Sequence, residues 1–305
     1  MGPKISSQKF PNRKIANKIE LSNCKFTKIT NQELSSKIFL LSNGNILSIT
    51  IQGNINIYQL LPNKCIISIS QPHNGTINDV VQLNNDDIVT IGQDNTIKIW
   101  KISKLSYKLI KLIYVDDTIQ KVTKALDNRL VSYNTKNQIQ VWDSNTFQCL
   151  HTIKFERPIT FLFETQVGIT LTFLESGRLF FWNNLTLECV HEMKKVYIGE
   201  YGNIAELSKE KIIVGNIVLK ILNIVSYQIE TIISLKTFCY SMIVIDNETL
   251  LVGSAKGMIL INISDNQFNQ YQESLNYWST KQIILVGQRR FISRSLDGSI
   301  YIWTF

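Results

Sequence analysis

The sequence predicts an all-β chain built from seven like four-stranded units arranged in a ring, and three observations lead there. Ile is abundant and Ala scarce along the 305 residues; side chains branched at Cβ suit a pleated strand and lose rotamer freedom in a helix. A tight-turn residue followed by an alternating strand that ends in Trp recurs at Asn95 to Trp100, Asn137 to Trp142, Gly177 to Trp182 and Gly298 to Trp303, which is a hairpin signal. Asn54 to Tyr58 has the same shape with Tyr as its aromatic, and Val218 to Leu222 and Met258 to Asn262 fill the remaining gap. The seven end positions are 58, 100, 142, 182, 222, 262 and 303, so the period stays between 40 and 42 residues throughout.

Within the second repeat the strands are expected at Thr76 to Leu83, Asp87 to Gly92, Thr96 to Ile102 and Tyr107 to Ile113, from innermost to outermost. No stretch rich in Pro, Gly or Ser divides the chain. The most apolar run, Lys211 to Leu235, is interrupted by Asn216, Lys220, Asn223 and Glu230, too often for the ~20 apolar residues of a membrane span.

This repeat resembles the WD-repeat family, although only Trp142-Asp143 is a literal Trp-Asp pair and the fifth and sixth repeats lack the aromatic. The resemblance implies a single seven-bladed β-propeller. It also implies a hydrogen-bond tetrad, matched in full by His73, Thr90, Asp94 and Trp100, in which imidazole bridges the turn carboxylate to the strand hydroxyl and the hydroxyl meets the indole. Ser48, Ser132, Thr172 and Ser293 keep the hydroxyl position, and the last repeat also keeps an acid, Asp297.

The five cysteines and three histidines fit the repeat rather than a reactive centre. Cys65, Cys149 and Cys189 each follow their blade's aromatic by seven residues, and His151 and His191 each follow such a Cys by two. One alternating strand cannot close a four-ligand site, and equivalent strands of different blades stand too far apart for a disulfide. We expect neither a metal nor a cofactor, and no catalytic residue: no phosphate loop, nucleophile elbow or paired-carboxylate motif occurs. Reduced thiols without a secretory signal point to cytoplasm or nucleus.

Charge divides the chain into a basic N-terminal arm, residues 1–20, and a propeller, residues 21–305. Residues 1–30 carry seven bases against Glu20 alone, leaving a nearly neutral remainder of the formal +8. Lys4, Lys9, Arg13, Lys14 and Lys18 suit a docking arm for an acidic protein surface or RNA phosphates, or a solvated tail. Arg289, Arg290 and Arg294 form a second basic group, expected around the hairpin between the first two strands of the last blade.

Two function classes follow. One is a non-catalytic protein–protein interaction scaffold within a larger complex, as the WD-repeat resemblance implies; the other is an RNA- or ribosome-associated propeller using the basic arm. On the family's narrow face the resemblance places Ile51, Gln93, Thr135, Glu175, Gly215, Ala255 and Leu296, seven residues before each end position. That ring holds one acid and no base, whereas readers of phosphate use Arg clusters, so it favours a neutral or apolar protein segment; no small-molecule substrate is expected.

The last expectation concerns closure. Phe305 follows Trp303 by only two residues, leaving no length for a fourth strand in the last blade. Counting back 14 residues from Ile38 places Cys24 in the register of the repeated outer-strand cysteines. Residues 24 to 30 are therefore expected to pair with Ser299 to Thr304 and so complete the blade.

Overall fold

A computed structural model describes residues 24–29, 33–183, 186–196, 203–246, 248–263, 279–287 and 290–304. The arm lysines and arginine at 4, 9, 13, 14 and 18, and Arg289, lie outside the described residues.

The described residues form seven antiparallel sheets and no helix. Blade 1 comprises Ser35–Leu40, Ile46–Thr50, Ile55–Leu60 and Asn63–Ile69, and blade 2 Ile77–Gln82, Ile88–Gly92, Thr96–Ile102 and Tyr107–Tyr114. Blade 3 comprises Ile119–Lys124, Leu130–Asn134, Gln138–Trp142 and Cys149–Lys154, and blade 4 Ile159–Glu164, Ile169–Leu174, Leu179–Asn183 and Cys189–Met193. Blade 5 comprises Asn203–Glu206, Lys211–Gly215, Val218–Asn223 and Gln228–Ser234. Blade 6 has three strands among the described residues, Cys239–Asp246, Thr249–Ser254 and Gly257–Asn262. Blade 7 comprises Thr280–Leu285, Arg290–Ser295 and Ile300–Thr304, and its outermost strand is Lys25–Lys28.

The expected closure is thus present, with Lys25 opposite Thr304 and Lys28 opposite Tyr301. Its register differs in one respect. Phe26, not Cys24, faces Trp303; in blades 1, 3 and 4 a bulge brings Cys65, Cys149 and Cys189 opposite the aromatic, and Lys25–Lys28 has none.

Apolar residues from adjoining blades interdigitate. Leu47, Ile49, Ile55 and Ile57 of blade 1 share one cluster with Ile77, Val80, Ile88 and Trp100 of blade 2. Each such side chain removed from water contributes roughly 1.5–3 kcal/mol, so packing between blades contributes strongly to stability.

The turns explain the repeat's leading residue. Asn95 and Asn137 have φ of +54° and +60°, and Gly177 and Gly298 take the same position with φ of +78° and +83°. Only Gly, or an Asn or Asp, enters that left-handed region cheaply.

Blades 5 and 6 use shorter turns. Ile88 pairs with Trp100 twelve residues on, whereas Ile212 pairs with Leu222 after ten and Leu250 with Ile261 after eleven. The end position of blade 6 is therefore Ile261 rather than Asn262. In these two blades Val214 and Val252 occupy the hydroxyl position beside Leu222 and Ile261. Both polar partners have been replaced by apolar ones, a change that leaves no buried group unpaired.

Candidate functional site

Two features merit the description of a site: the polar cluster of blade 2, and the face carrying the turns between second and third strands. In blade 2 the four tetrad side chains form one hydrogen-bonded series. Trp100 Nε1–H donates to Thr90 Oγ1 over 2.9 Å, and Thr90 Oγ1 lies 2.7 Å from His73 Nε2. His73 Nδ1 lies 2.9 Å from Asp94 Oδ1, which also accepts the Thr96 hydroxyl at 2.7 Å. The Asn74 N–H donates to Asp94 Oδ2 at 3.0 Å. With a proton on Nδ1, every link has one donor and one acceptor.

Burial lowers the His73 pKa below its ordinary 6.5 and outweighs the opposing pull of Asp94. Burial pushes the Asp94 carboxyl upward, but hydrogen bonds from Thr96, His73 and the Asn74 backbone hold it well below its ordinary value. The cluster contains a neutral imidazole beside a carboxylate.

A hydroxyl, an imidazole and a carboxylate in series resemble a nucleophilic triad, but the chemistry differs. Thr90 is fully buried and its oxygen already accepts the indole N–H. The His73 side chain has no exposed surface. A nucleophile must reach a substrate atom, and this hydroxyl reaches none, so the geometry suits it to fastening the inner edge of the blade. Trp142, Trp182 and Trp303 donate likewise to Ser132, Thr172 and Ser293, at 2.9, 3.1 and 2.8 Å.

On the turn face, six of the seven ring residues share one backbone bond. The N–H groups of Ile51, Gln93, Thr135, Glu175, Ala255 and Leu296 donate to the carbonyls of Leu34, Thr76, Thr118, Pro158, Phe238 and Ser279, always 17 residues earlier. Each ring residue is thereby pinned beside the residue that leads into its blade's innermost strand. Gly215 departs from the ring. Its short turn leaves it buried at φ +142°, and a Cβ there would stand 2.0 Å from the Val218 carbonyl oxygen. Ile217 and Val218 take the exposed position in blade 5.

This face is polarised. Over blades 2 to 4 its paired positions are Thr76 and Gln93, Thr118 and Thr135, and Pro158 and Glu175. Over blades 5, 6, 7 and 1 it exposes Ile217, Val218, Phe238, Leu296, Leu34 and Ile51, with Ile51 and Leu296 about three-fifths accessible at 58 % and 62 %. Sequence reasoning found Ile51 and Leu296 but missed Leu34, Phe238, Ile217 and Val218. The fixed offset of 17 residues was the signal that would have found the first two; the shortened turn of blade 5 hid the others.

The remaining sites separate. Arg290 is exposed at the start of its strand, whereas Arg294 reaches the seam with blade 1, where its Nη1 lies 3.4 Å from the Ser35 carbonyl. The expected arginine group around the hairpin therefore does not include Arg294. Cys65, Cys149, Cys189 and Cys239 are free thiols, and Cys65, Cys149 and Cys189 each donate to the carbonyl two residues ahead, at 3.4 Å. No cluster of three metal-ligating side chains occurs among the described residues. An apolar pocket between blades 3 and 4 is lined by Val131, Val141, Ile153, Trp182 and Leu187, and its two polar lining residues are already engaged, Arg129 with Asp127 and Thr170 with Glu164.

Seven sheets in a closed ring define a seven-bladed β-propeller, the fold that the WD-repeat resemblance implies. Among solved structures, the β-propeller domain of Cps50 (Swd1) from Myceliophteria thermophila superposes with a TM-score of 0.72. The match covers 92 % of this chain and 98 % of that one at 11 % identity, a likeness of fold. No protein-family model and no curated protein matches the sequence.

Proposed function

We propose that this chain is a non-catalytic protein-interaction scaffold, a subunit of a larger complex, that takes its partner on the turn face over blades 5, 6, 7 and 1. One observation carries the reading: the exposed apolar residues of that face are gathered on one half of it, Leu34, Ile51, Ile217, Val218, Phe238 and Leu296. Single exposed apolar residues are ordinary, whereas a contiguous group held by a rigid ring is the mark of an interaction surface. Its apolar character suits a neutral or apolar protein segment. The free thiols fit a reducing compartment, cytoplasm or nucleus.

The test is affinity purification of the endogenous protein, with and without nuclease, beside the double variant Ile51→Asp, Leu296→Asp. Both positions are exposed, so the variant should unfold at the same temperature as the parent. Protein partners that survive nuclease and vanish from the variant are the expected result. Partners that vanish with nuclease, or persist in the variant, overturn the reading.

A further inference from the structure

The outer rim of blade 2 is unlike that of its neighbours. Its outermost strand, Tyr107–Tyr114, has eight residues, against seven, six, five and seven in blades 1, 3, 4 and 5. It pairs on one side with Thr96–Ile102, and its other edge forms the outer limit of the sheet. A bulge where Trp100 gives way to Ile99 splits the strand: Tyr107 packs against Trp100 at 6.3 Å on one face of the sheet, and Lys111 lies over the Phe147 ring of blade 3 at 5.2 Å on the other. Lys108 and Lys111 share the blade 3 side with Ile113, and the Trp100 side presents Tyr107, Leu109, Leu112 and Tyr114. All four are exposed, Tyr114 at 78 %.

Charge here has one sign. Lys98, Lys101, Lys104, Lys108 and Lys111 follow one another with no acid before Asp116. Lys98 is engaged with Asp94 and the Pro72 carbonyl, while Lys101, Lys104 and Lys108 stand exposed along the rim. Lysine on an edge strand repels a second copy of the same edge. The same lysines attract a strand of opposite charge, because opposite charges across a strand pair stabilise it and like charges oppose it.

We propose that the outer edge of Tyr107–Tyr114 takes up an extended acidic segment of a partner protein, adding a fifth strand to blade 2. The segment alternates acid and apolar residues. Its backbone bonds to the open edge, its apolar residues cover Leu109, Leu112 and Tyr114 on one side of the sheet, and its carboxylates meet Lys101 and Lys108 on the other, with Lys104 at the turn. This is strand addition, in which main-chain bonds give affinity and alternate side chains give selectivity. The surface is separate from the turn face, so either can fail without the other.

The probe is a fluorescent ten-residue peptide alternating Glu and Val, titrated into the full-length chain and followed by anisotropy and by amide hydrogen exchange. Binding below about 1 mM is expected, weakened about tenfold or more by Lys104→Glu with Lys108→Glu and again by Leu112→Asp. Exchange should slow at the outward-facing amides of residues 107–114. A peptide alternating Lys and Val, and the acidic peptide N-methylated at alternate residues, should not bind; these two controls need no variant protein. Absence of binding at 1 mM, tolerance of N-methylation, or protection elsewhere overturns the proposal. So does equal displacement of the peptide by a single-stranded RNA that leaves exchange at 107–114 unchanged, which would show attraction by charge alone.

Discussion

Gln282 and Ile38, 244 residues apart in sequence, hydrogen-bond to each other twice across the seam of the ring. The Ile38 N–H donates to Gln282 Oε1 at 2.9 Å, and Gln282 Nε2 donates to the Ile38 carbonyl at 2.7 Å. The contact is one instance of a repeated device. Six innermost strands carry a bulge at the same place, after Ser35, Ile77, Ile119, Ile159, Cys239 and Thr280. A bulge re-aims the side chain that follows it. Asp79 thereby accepts the Val122 N–H of blade 3 at 3.2 Å, and Ser241 accepts the Ile283 N–H of blade 7 at 3.1 Å.

Gln282→Leu should accordingly destabilise the protein by about 1–3 kcal/mol, because it strands a donor and an acceptor on Ile38, which is wholly buried. Gln282→Glu should cost less in chemical denaturation, since a carboxylate keeps the acceptor for the Ile38 N–H. Equal stability of the leucine variant and the parent would show that the seam closes without this pair.

The N-terminal strand closes the same blade on its outer side. Phe26 lies 4.9 Å from Trp303, ring centre to ring centre, and Trp303 is fully buried. Deleting residues 1–31 removes that cover and bares the edge of Ile300–Thr304, an open template for pairing with other chains. We expect an aggregating, poorly folded product. Deleting residues 1–20 should leave solubility and unfolding cooperativity unchanged, and equal behaviour of the two truncations would contradict the closure.

Acid should act first through His73. Its pKa is lowered on folding, so the folded state prefers the neutral ring, and the stability that this preference supplies is complete above 6.5 and lost as pH falls below it. Asp94, also lowered, adds a second loss below its ordinary 3.8. Urea midpoints of the parent should drop between pH 7 and 5, and those of His73→Leu, though lower at pH 7, should drop less. Parallel curves would refute the assignment. Trp100→Ala, measured at pH 7, should cost roughly 3–5 kcal/mol, as truncation of a buried aromatic does.

Much of this architecture was legible because a propeller writes its period into the chain. The residue opening each hairpin must accept positive φ and the residue ending it must fill the space between blades, so Asn95 with Trp100 and Gly298 with Trp303 advertise their positions. Legibility failed where the turn length changed. Leu222 and Ile261 are ordinary core residues, and nothing in their identity reveals that their hairpins are shorter by two residues and one. Gly215 was consequently placed on a ring it does not join. The closing strand was found through Cys24, yet the register was set by the strand's lack of a bulge, which a short polar segment does not announce. The inner-strand bulges were invisible for a similar reason, since Lys37, Asp79, Lys121, Phe161, Ser241 and Gln282 share a geometry and no chemistry.

Arg294 offers the sharpest test of how blades 7 and 1 fit together. Its place in the second strand, opposite Gln282, corresponds to Ile49 opposite Lys37 and Ile91 opposite Asp79. Those two isoleucines are core residues; here a guanidinium occupies the seam instead. Among the described residues its Nε is buried without a hydrogen-bond partner, and its Nη1 has the distant carbonyls of Ser35 and Ser295, at 3.4 and 3.5 Å. Desolvation brings its pKa down from 12.5 to about 10. Replacing an uncompensated buried charge with an apolar side chain of similar length commonly stabilises a protein by about 1–4 kcal/mol. Arg294→Met should therefore raise the denaturation midpoint, since methionine adapts to irregular space. A variant less stable than the parent at pH 7 would show that the guanidinium is compensated by contacts stronger than those two carbonyls.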